Sequence, residues 1–390
     1  MHKLCLVPLS SIHQRGSTVL TLLILLISGI VMSAGWVYQH ILFAQRAAHN
    51  NAMKSQSMAA AETGLSWAQT HLNSIHTLGH SSCQLRPGSQ VPKGQAGHSL
   101  ACQHHDSAWH CQCGNNLSLE NLPTPAAGPA FVVDLLPSSM ERSVQVRSRA
   151  CAQASPACGH QPGAELHQTW SLMGGLHRLP SAALMALGSV QISGFSELID
   201  QKKMSPAFSK QTITGSPVDH QPGFIRPLNE PPEKNASPSV KQSSELFKSM
   251  FGFDKHEWQT QPSLLRLQCE HNCSQSLAEH LADESVTMVH LRELRVDSPI
   301  TLGSPHRPVL FIVDELAQLN GPITLYGVLY AGRITSQAPE ATLQIHGALI
   351  SETDITLGHR PRVNFDPVLL QKLQNSTGSY VRVPATWIDS

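Results

Sequence analysis

A charge-free stretch near the start of the chain constrains its fold more than any other feature. Residues 17–45 contain no Lys, Arg, Asp or Glu, and 19–38 is almost continuously apolar. About 20 such residues are what an α-helix needs to cross a hydrocarbon layer of ~30 Å. Trp36 and Tyr38 close the run, and rings of this kind settle at a membrane interface. A secretory signal core is shorter, roughly 7–15 residues, with small residues at a cleavage site behind it. Here the helical pattern runs on. The sequence predicts a membrane-inserted helix, with a cleaved secretory signal as the alternative.

Orientation follows from cysteine rather than from charge. Lys3 and Arg15 precede the span and Arg46 and Lys54 follow it, a tie under the positive-inside rule. Cys5 lies before the span. Cys83, Cys102, Cys111, Cys113, Cys151, Cys158, Cys269 and Cys273 lie after it. An even set in the large part fits an oxidising compartment. The amino terminus is therefore expected inside and the bulk of the chain in a periplasm-like space. With 27 Lys+Arg against 27 Asp+Glu and 14% charged residues, neither a basic nucleic-acid binder nor a highly charged disordered chain is expected. The 390 residues suggest more than one domain.

Gln14-Arg15-Gly16-Ser17, followed by the apolar run, resembles the start of a type IV prepilin. Ala59-Ala60-Ala61-Glu62-Thr63-Gly64-Leu65 is similar to the Ala-Ala-Glu-x-Gly-Leu segment of PilX-like pilus assembly proteins, a minor pilin family, and has the family's spacing from the leader glycine. The resemblance implies a leader over 1–16, cleavage by a prepilin peptidase between Gly16 and Ser17, and a helix over 17–73. Its helix motif falls on Ala60, Ala61, Glu62, Gly64 and Leu65. The fifth position of the mature chain is Thr21, where major pilins carry Glu. That departure leaves open whether the leader is cut and whether the protein enters mature filaments. The small residues Ala44, Ala47, Ala48, Ala52, Ala59 and Ala68 suit close helix packing, against neighbouring pilin helices, against the chain's own head, or both.

The segment 74–180 reads as a cysteine-rich antiparallel β head. Residues 131–136 are apolar, 143–150 alternate with period two, and 165–172 are strand-like. Cys151 and Cys158 lie between the last two strands, where a disulfide would staple the hairpin. Cys83, Cys102, Cys111 and Cys113 are expected in disulfides, with Cys111 and Cys113 each reaching Cys83 or Cys102. Zinc ligation by Cys102, His104, His105, Cys111 and Cys113 is the competing reading, although the spacing fits no standard finger.

Ile323-Thr324-Leu325-Tyr326-Gly327-Val328-Leu329-Tyr330 recurs as Leu343-Gln344-Ile345-His346-Gly347-Ala348-Leu349-Ile350. Short strands around glycine at a near-20-residue period predict coils of a β-helix over 286–373, with a first rung at 181–199. Residues 200–285 read as a proline-rich excursion with short helices. Within it, 243–251 forms a helix ending at Gly252, and Cys269 and Cys273 are four apart on a helical turn. Asp366 before Pro367 predicts a helix N-cap, and 374–390 reads as a C-terminal tail. The last strands and this Asp-Pro turn also resemble the end of PilX-like proteins.

No nucleophile triad, phosphate loop or zincin helix is present. Asp314, Glu315, Glu340, Glu352, Asp354 and Asp366 fall on different phases of the repeat and read as solvated loop residues. The expected class is α+β: a pilin-type transmembrane helix, a disulfide-stapled antiparallel head and a C-terminal β-solenoid-like region. The expected role is non-enzymatic and without cofactor, in type IV pilus priming or tip assembly at the inner membrane. The partners implied are other minor pilins, pilus assembly proteins and a large tip adhesin, with entry into the extracellular pilus left open. The alternative is a membrane-anchored envelope protein whose β-helix binds or cleaves polysaccharide.

Overall fold

The computed structural model describes residues 14–73, 98–115, 117–119, 128–138, 140, 142–153, 158, 163–193, 197–200, 207–215, 240–269, 272–282, 286–336, 338, 342–358 and 361–389. The leader to residue 13, Cys83, Glu340 and residues 201–206 and 216–239 of the proline-rich excursion lie outside them. The class is α+β, with one long apolar helix, one antiparallel sheet and one large parallel sheet.

Helix α1 (Gln14–Asn73) has 60 residues, about 90 Å at 1.5 Å per residue. The large apolar side chains of its first half stand exposed, Leu22, Leu25, Ile30, Met32 and Phe43 among them. Its last five turns bury Ser57, Ala60, Ala61, Gly64, Leu65, Ala68 and Leu72, a stripe at i, i+3/i+4 spacing that marks a helix lying on a core.

That core belongs to the head sheet. Strands β1 (His98–His105), β2 (Ala108–Asn115), β3 (Ala130–Pro137), β4 (Ser143–Cys151) and β5 (Ala164–Gly174) form antiparallel pairs in the order β2-β1-β3-β4-β5. Period-two alternation turns Leu100, Phe131, Val133, Val146, Leu166 and Trp170 toward α1. The opposite face carries a buried carboxylate, Asp134, bonded by Ser99 Oγ at 2.7 Å, Arg147 Nη2 at 2.8 Å and Arg149 Nη2 at 3.1 Å. Burial is tolerable because charge and lone pairs are both answered.

The C-terminal segment is not a tail. Strands β20 (Gly378–Arg382) and β21 (Ile388–Asp389) return to the head and pair antiparallel with β5. They cover an edge that would otherwise expose unpaired backbone. The Asn73 side chain finishes the edge: its Nδ2 donates to Tyr380 O at 3.0 Å, and its Oδ1 accepts from Tyr380 N at 2.7 Å.

Fourteen further strands pair in parallel and stack as three ladders. The first runs through β11 (Leu265–Leu267), β12 (Met288–Leu291), residues 309–313 of β15 (Val309–Leu319), 327–331 of β16 (Ile323–Ser336), 347–351 of β17 (Leu343–Ser351), β6 (Leu184–Ala186) and β9 (Ala207–Ser209). The second comprises β13 (Leu294–Val296), the ends of β15 and β16, β18 (Ile355–Leu357), β7 (Val190–Ile192) and β10 (Ile213–Gly215). The third comprises β14 (Ile300–Leu302), the starts of β16 and β17, β19 (Arg362–Phe365) and β8 (Glu197–Asp200). Gly327 pairs with Gly347 in register, so the 20-residue repeat is one step along the stack.

Two sequence expectations shift here. The segment read as a first rung, 181–199, does not precede 288–302. Its strands β6, β7 and β8 dock on 343–365, the last coil in sequence, and close that coil's open edge. The excursion adds a further partial coil at 207–215. In β15, β16 and β17 the first ladder is buried on both sides, whereas the other two alternate buried and open positions. Helices α2 (Val240–Phe251), α3 (Lys255–Trp258) and α5 (Pro367–Ser376) supply buried residues to the core of the parallel stack. Helix α4 (Ser274–Leu281) packs by β14.

Candidate functional site

Gly64 is a point of close approach between α1 and the head sheet. A Cβ there would collide with Ser148 Oγ and lie 3.0 Å from Phe131 Cδ2 and 3.1 Å from Val133 Cγ2. Ala60, Ala61 and Leu65 are buried beside it, and Glu62 is exposed. The motif residues thus do their packing within the chain, while Ala44, Ala48, Ala52 and Ala59 are exposed. Gly16 and Ser17 fall in the first turn of α1. Along the exposed flank, α1 and the edge of the head sheet enclose an open groove of about 600 Å³, lined by Lys54, Met58, Glu62, Glu165 and Asp389 among others.

Three disulfides are local in sequence. Cys102 and Cys111 face each other across β1 and β2 with Cα atoms 4.1 Å apart. Cys151 joins Cys158 at a Cα separation of 6.1 Å. Cys269 joins Cys273 at 5.3 Å, but Cys273 is the N-cap of α4 and Cys269 lies ahead of it, so the pair spans a helix entry and not a helical turn. The Cys102–Cys111 bond takes two of the proposed zinc ligands, and among the described residues no three His, Cys, Asp or Glu side chains converge as a metal site.

The acids are less scattered than their phases in the repeat suggest. Lys255 Nζ lies 3.2 Å from Asp314 Oδ1 and 3.1 Å from Glu352 Oε1. Asp314 also meets His290 Nε2 at 2.9 Å, and the Tyr330 hydroxyl donates to Glu352 at 3.0 Å. Partial burial pushes the Asp314 carboxyl up, but the His290 hydrogen bond and the Lys255 charge outweigh it and hold the group below its ordinary value. Burial, with the Glu352 charge, pushes the Tyr330 hydroxyl far up. Lys255 thus bridges the two carboxylates, and Asp314, held below its ordinary value, is not poised to exchange protons near neutral pH. Sequence reasoning missed this cluster because Lys255 sits far along the chain from both acids and outside the repeat.

The remaining acids also have structural partners. Asp354 Oδ1 accepts from Ser189 N at 2.7 Å and Ser189 Oγ at 2.8 Å, tying neighbouring coils. Glu315 pairs with Arg292 at 2.8 Å. Asp366 Oδ1 caps α5, accepting from Val368 N and Leu369 N at 3.0 Å each.

These features define a class: an α+β protein with one N-terminal helix long and apolar enough to cross a membrane, a disulfide-bearing antiparallel head and a stack of parallel coils. No family model matches the chain, and no curated protein matches it either. Among solved structures it is similar to the competence-associated pilin ComZ from Thermus thermophilus, at 10% identity, covering 87% of this chain and 97% of that one with a TM-score of 0.25. A likeness that low transfers neither fold nor role.

Proposed function

We propose that the protein is a non-enzymatic, minor-pilin-like component of type IV pilus biogenesis. In this reading α1 holds it in the inner membrane, with the amino terminus inside and the head and coils in the periplasm. It then contributes to pilus priming or tip assembly beside other minor pilins and assembly proteins, with a large tip adhesin as a further partner. The carrying observation is the division of α1 into a bare apolar half and a half packed through Gly64 on a disulfide-bearing head. A helix of that kind can sit in lipid and later exchange lipid for apolar neighbours without disturbing its head. The in-register parallel ladders support reading 286–373, with 184–215 added, as a β-solenoid. The non-enzymatic reading is supported by the structural engagement of Asp314, Glu315, Glu352, Asp354 and Asp366. The polysaccharide-cleaving alternative requires a free acid pair, and Asp314 and Glu352, which converge among the described residues, are bridged by Lys255.

The test is the mature amino terminus. Mass spectrometry of membrane-extracted protein is expected to find Ser17 first, with Met1 restored when the prepilin peptidase is removed. A chain that begins at Met1 in the presence of the peptidase sinks the pilin reading.

A further inference from the structure

Three buried apolar clusters exist among the described residues. One lies between α1 and the head sheet, a small one on the opposite face of that sheet, and the third inside the parallel ladders, and none spans head and ladders. No helix or strand of the head packs along one of the coils. The chain crosses between them twice, outbound at 174–176 and returning at 377–378, and Gly174 pairs with Gly378 in the β5–β20 register. Both crossings are built on glycine at positive φ, +83° at Gly174 and +135° at Gly378. Gly175 packs so closely on the Thr377 backbone that a Cβ would overlap it. Two adjacent crossings that each turn on glycine, between bodies packed around separate cores, have the form of a hinge, because domain motion is the default where the interface is small.

One segment spans that hinge. Trp258 Nε1 and Gln261 Nε2 both donate to Gly174 O, the latter at 3.0 Å. Ser263 Oγ donates to Gly378 O at 2.8 Å and lies 2.6 Å from Ser379 Oγ. The same segment is fixed to the coils. Phe247 and Phe251 pack edge-on to Tyr330 at 5.2 and 5.4 Å, and Lys255 straddles Asp314 and Glu352. The end of α2 holds the outbound chain directly, with Met250 O accepting from His177 N at 2.7 Å.

We infer that residues 244–263 are a brace that locks the hinge at 174–176 and 377–378, holding head and coils at one mutual angle. The inference does not depend on the pilus reading. Lys255 bridges acids on strands two steps apart in the stack, with Gly332 on the intervening strand, where a Cβ would overlap the Asp314 and Glu315 carbonyls. The anchor to the coils joins the buried rings of Phe247 and Phe251 on Tyr330 to a half-open ion pair at Lys255, whereas the hinge end rests on hydrogen bonds to two short segments. The hinge end of the brace is therefore the weak link between two independently packed bodies.

The test uses the full chain in detergent, with genetically encoded spin labels at Gln112 on the head and Gln191 on the coils, and pulsed dipolar spectroscopy. The variant W258F/Q261A/S263A removes the donors to Gly174 and Gly378 while keeping an aromatic ring at 258. Single Q261A serves if the triple variant fails to fold, as judged by hydrogen exchange in β5 and β16. A distance distribution that is narrow in the wild type and shifts and widens in the variant, with exchange in both sheets unchanged, supports the brace. A distribution already broad in the wild type, or one unchanged in a folded variant, overturns it.

Discussion

Gly64 sits under a sheet with no room for a side chain, so its substitution should read out as overpacking. G64V is expected to cost about 1–3 kcal/mol, the usual price of forcing methyl groups into a filled interface, seen as a lower urea midpoint for the detergent-solubilised chain. At Gly327 the obstruction is backbone. Its φ is +142° and a Cβ would overlap Val309 O. G327A should therefore cost at least the ~1–3 kcal/mol of a strained residue and loosen hydrogen exchange in β15 and β17. Asp314 gives a pH signature. Its folded value lies below the ordinary 3.8, so its stabilising contribution is present above about pH 4 and is lost as pH falls through the folded value. D314N should be less stable than wild type at neutral pH, with the gap closing below about pH 4; a gap that persists there contradicts the ion-pair account. Both glycines were visible in sequence, Gly327 from its repeat partner Gly347 and Gly64 from its motif. Their reasons were not, because Ser148 and Val309 become neighbours only through tertiary folding.

Elements with local causes were legible. The extent of α1 follows from its apolar run and alanines. The meander β3–β4–β5 follows from alternation, and α5 from Asp366 before Pro367. D366A should lower stability by about 1 kcal/mol, the ordinary worth of an N-cap, and raise exchange at Val368 and Leu369, the amides it caps. Unchanged exchange there would show that the cap contributes nothing. Elements defined only by a distant partner were not legible. Strands β20 and β21 are short and lie in what reads as a tail, and nothing in them names β5 as their edge. Strands β6–β8 carry the right glycine-and-apolar pattern for a coil. A pattern fixes membership of a stack but not position in it, and their register with β17–β19 depends on which edge remains open once 288–365 has wound.

At the scale of the whole molecule, head and coils pack around different cores joined by two glycine crossings and a few hydrogen bonds. Cooperativity requires shared buried contacts, and here little is shared. The full chain in detergent should therefore unfold in two transitions. Phe131 is fully buried against α1 in the head, and Leu310 is fully buried in the first ladder. F131A removes a core aromatic and should lower only the head transition, by about 3–5 kcal/mol, while L310A should lower only the coil transition, by about 2–5 kcal/mol. Calorimetry and hydrogen exchange on the same samples can assign the steps, because the β4 amides report the head and the β16 amides the coils. One transition moved equally by both substitutions would mean that the crossings and the brace couple the bodies far more strongly than their contacts imply. Two transitions that move independently would mean that the head can stay folded on its helix while the coils open, so that a load on the coils reaches α1 only through residues 174–176, 377–378 and the segment that braces them.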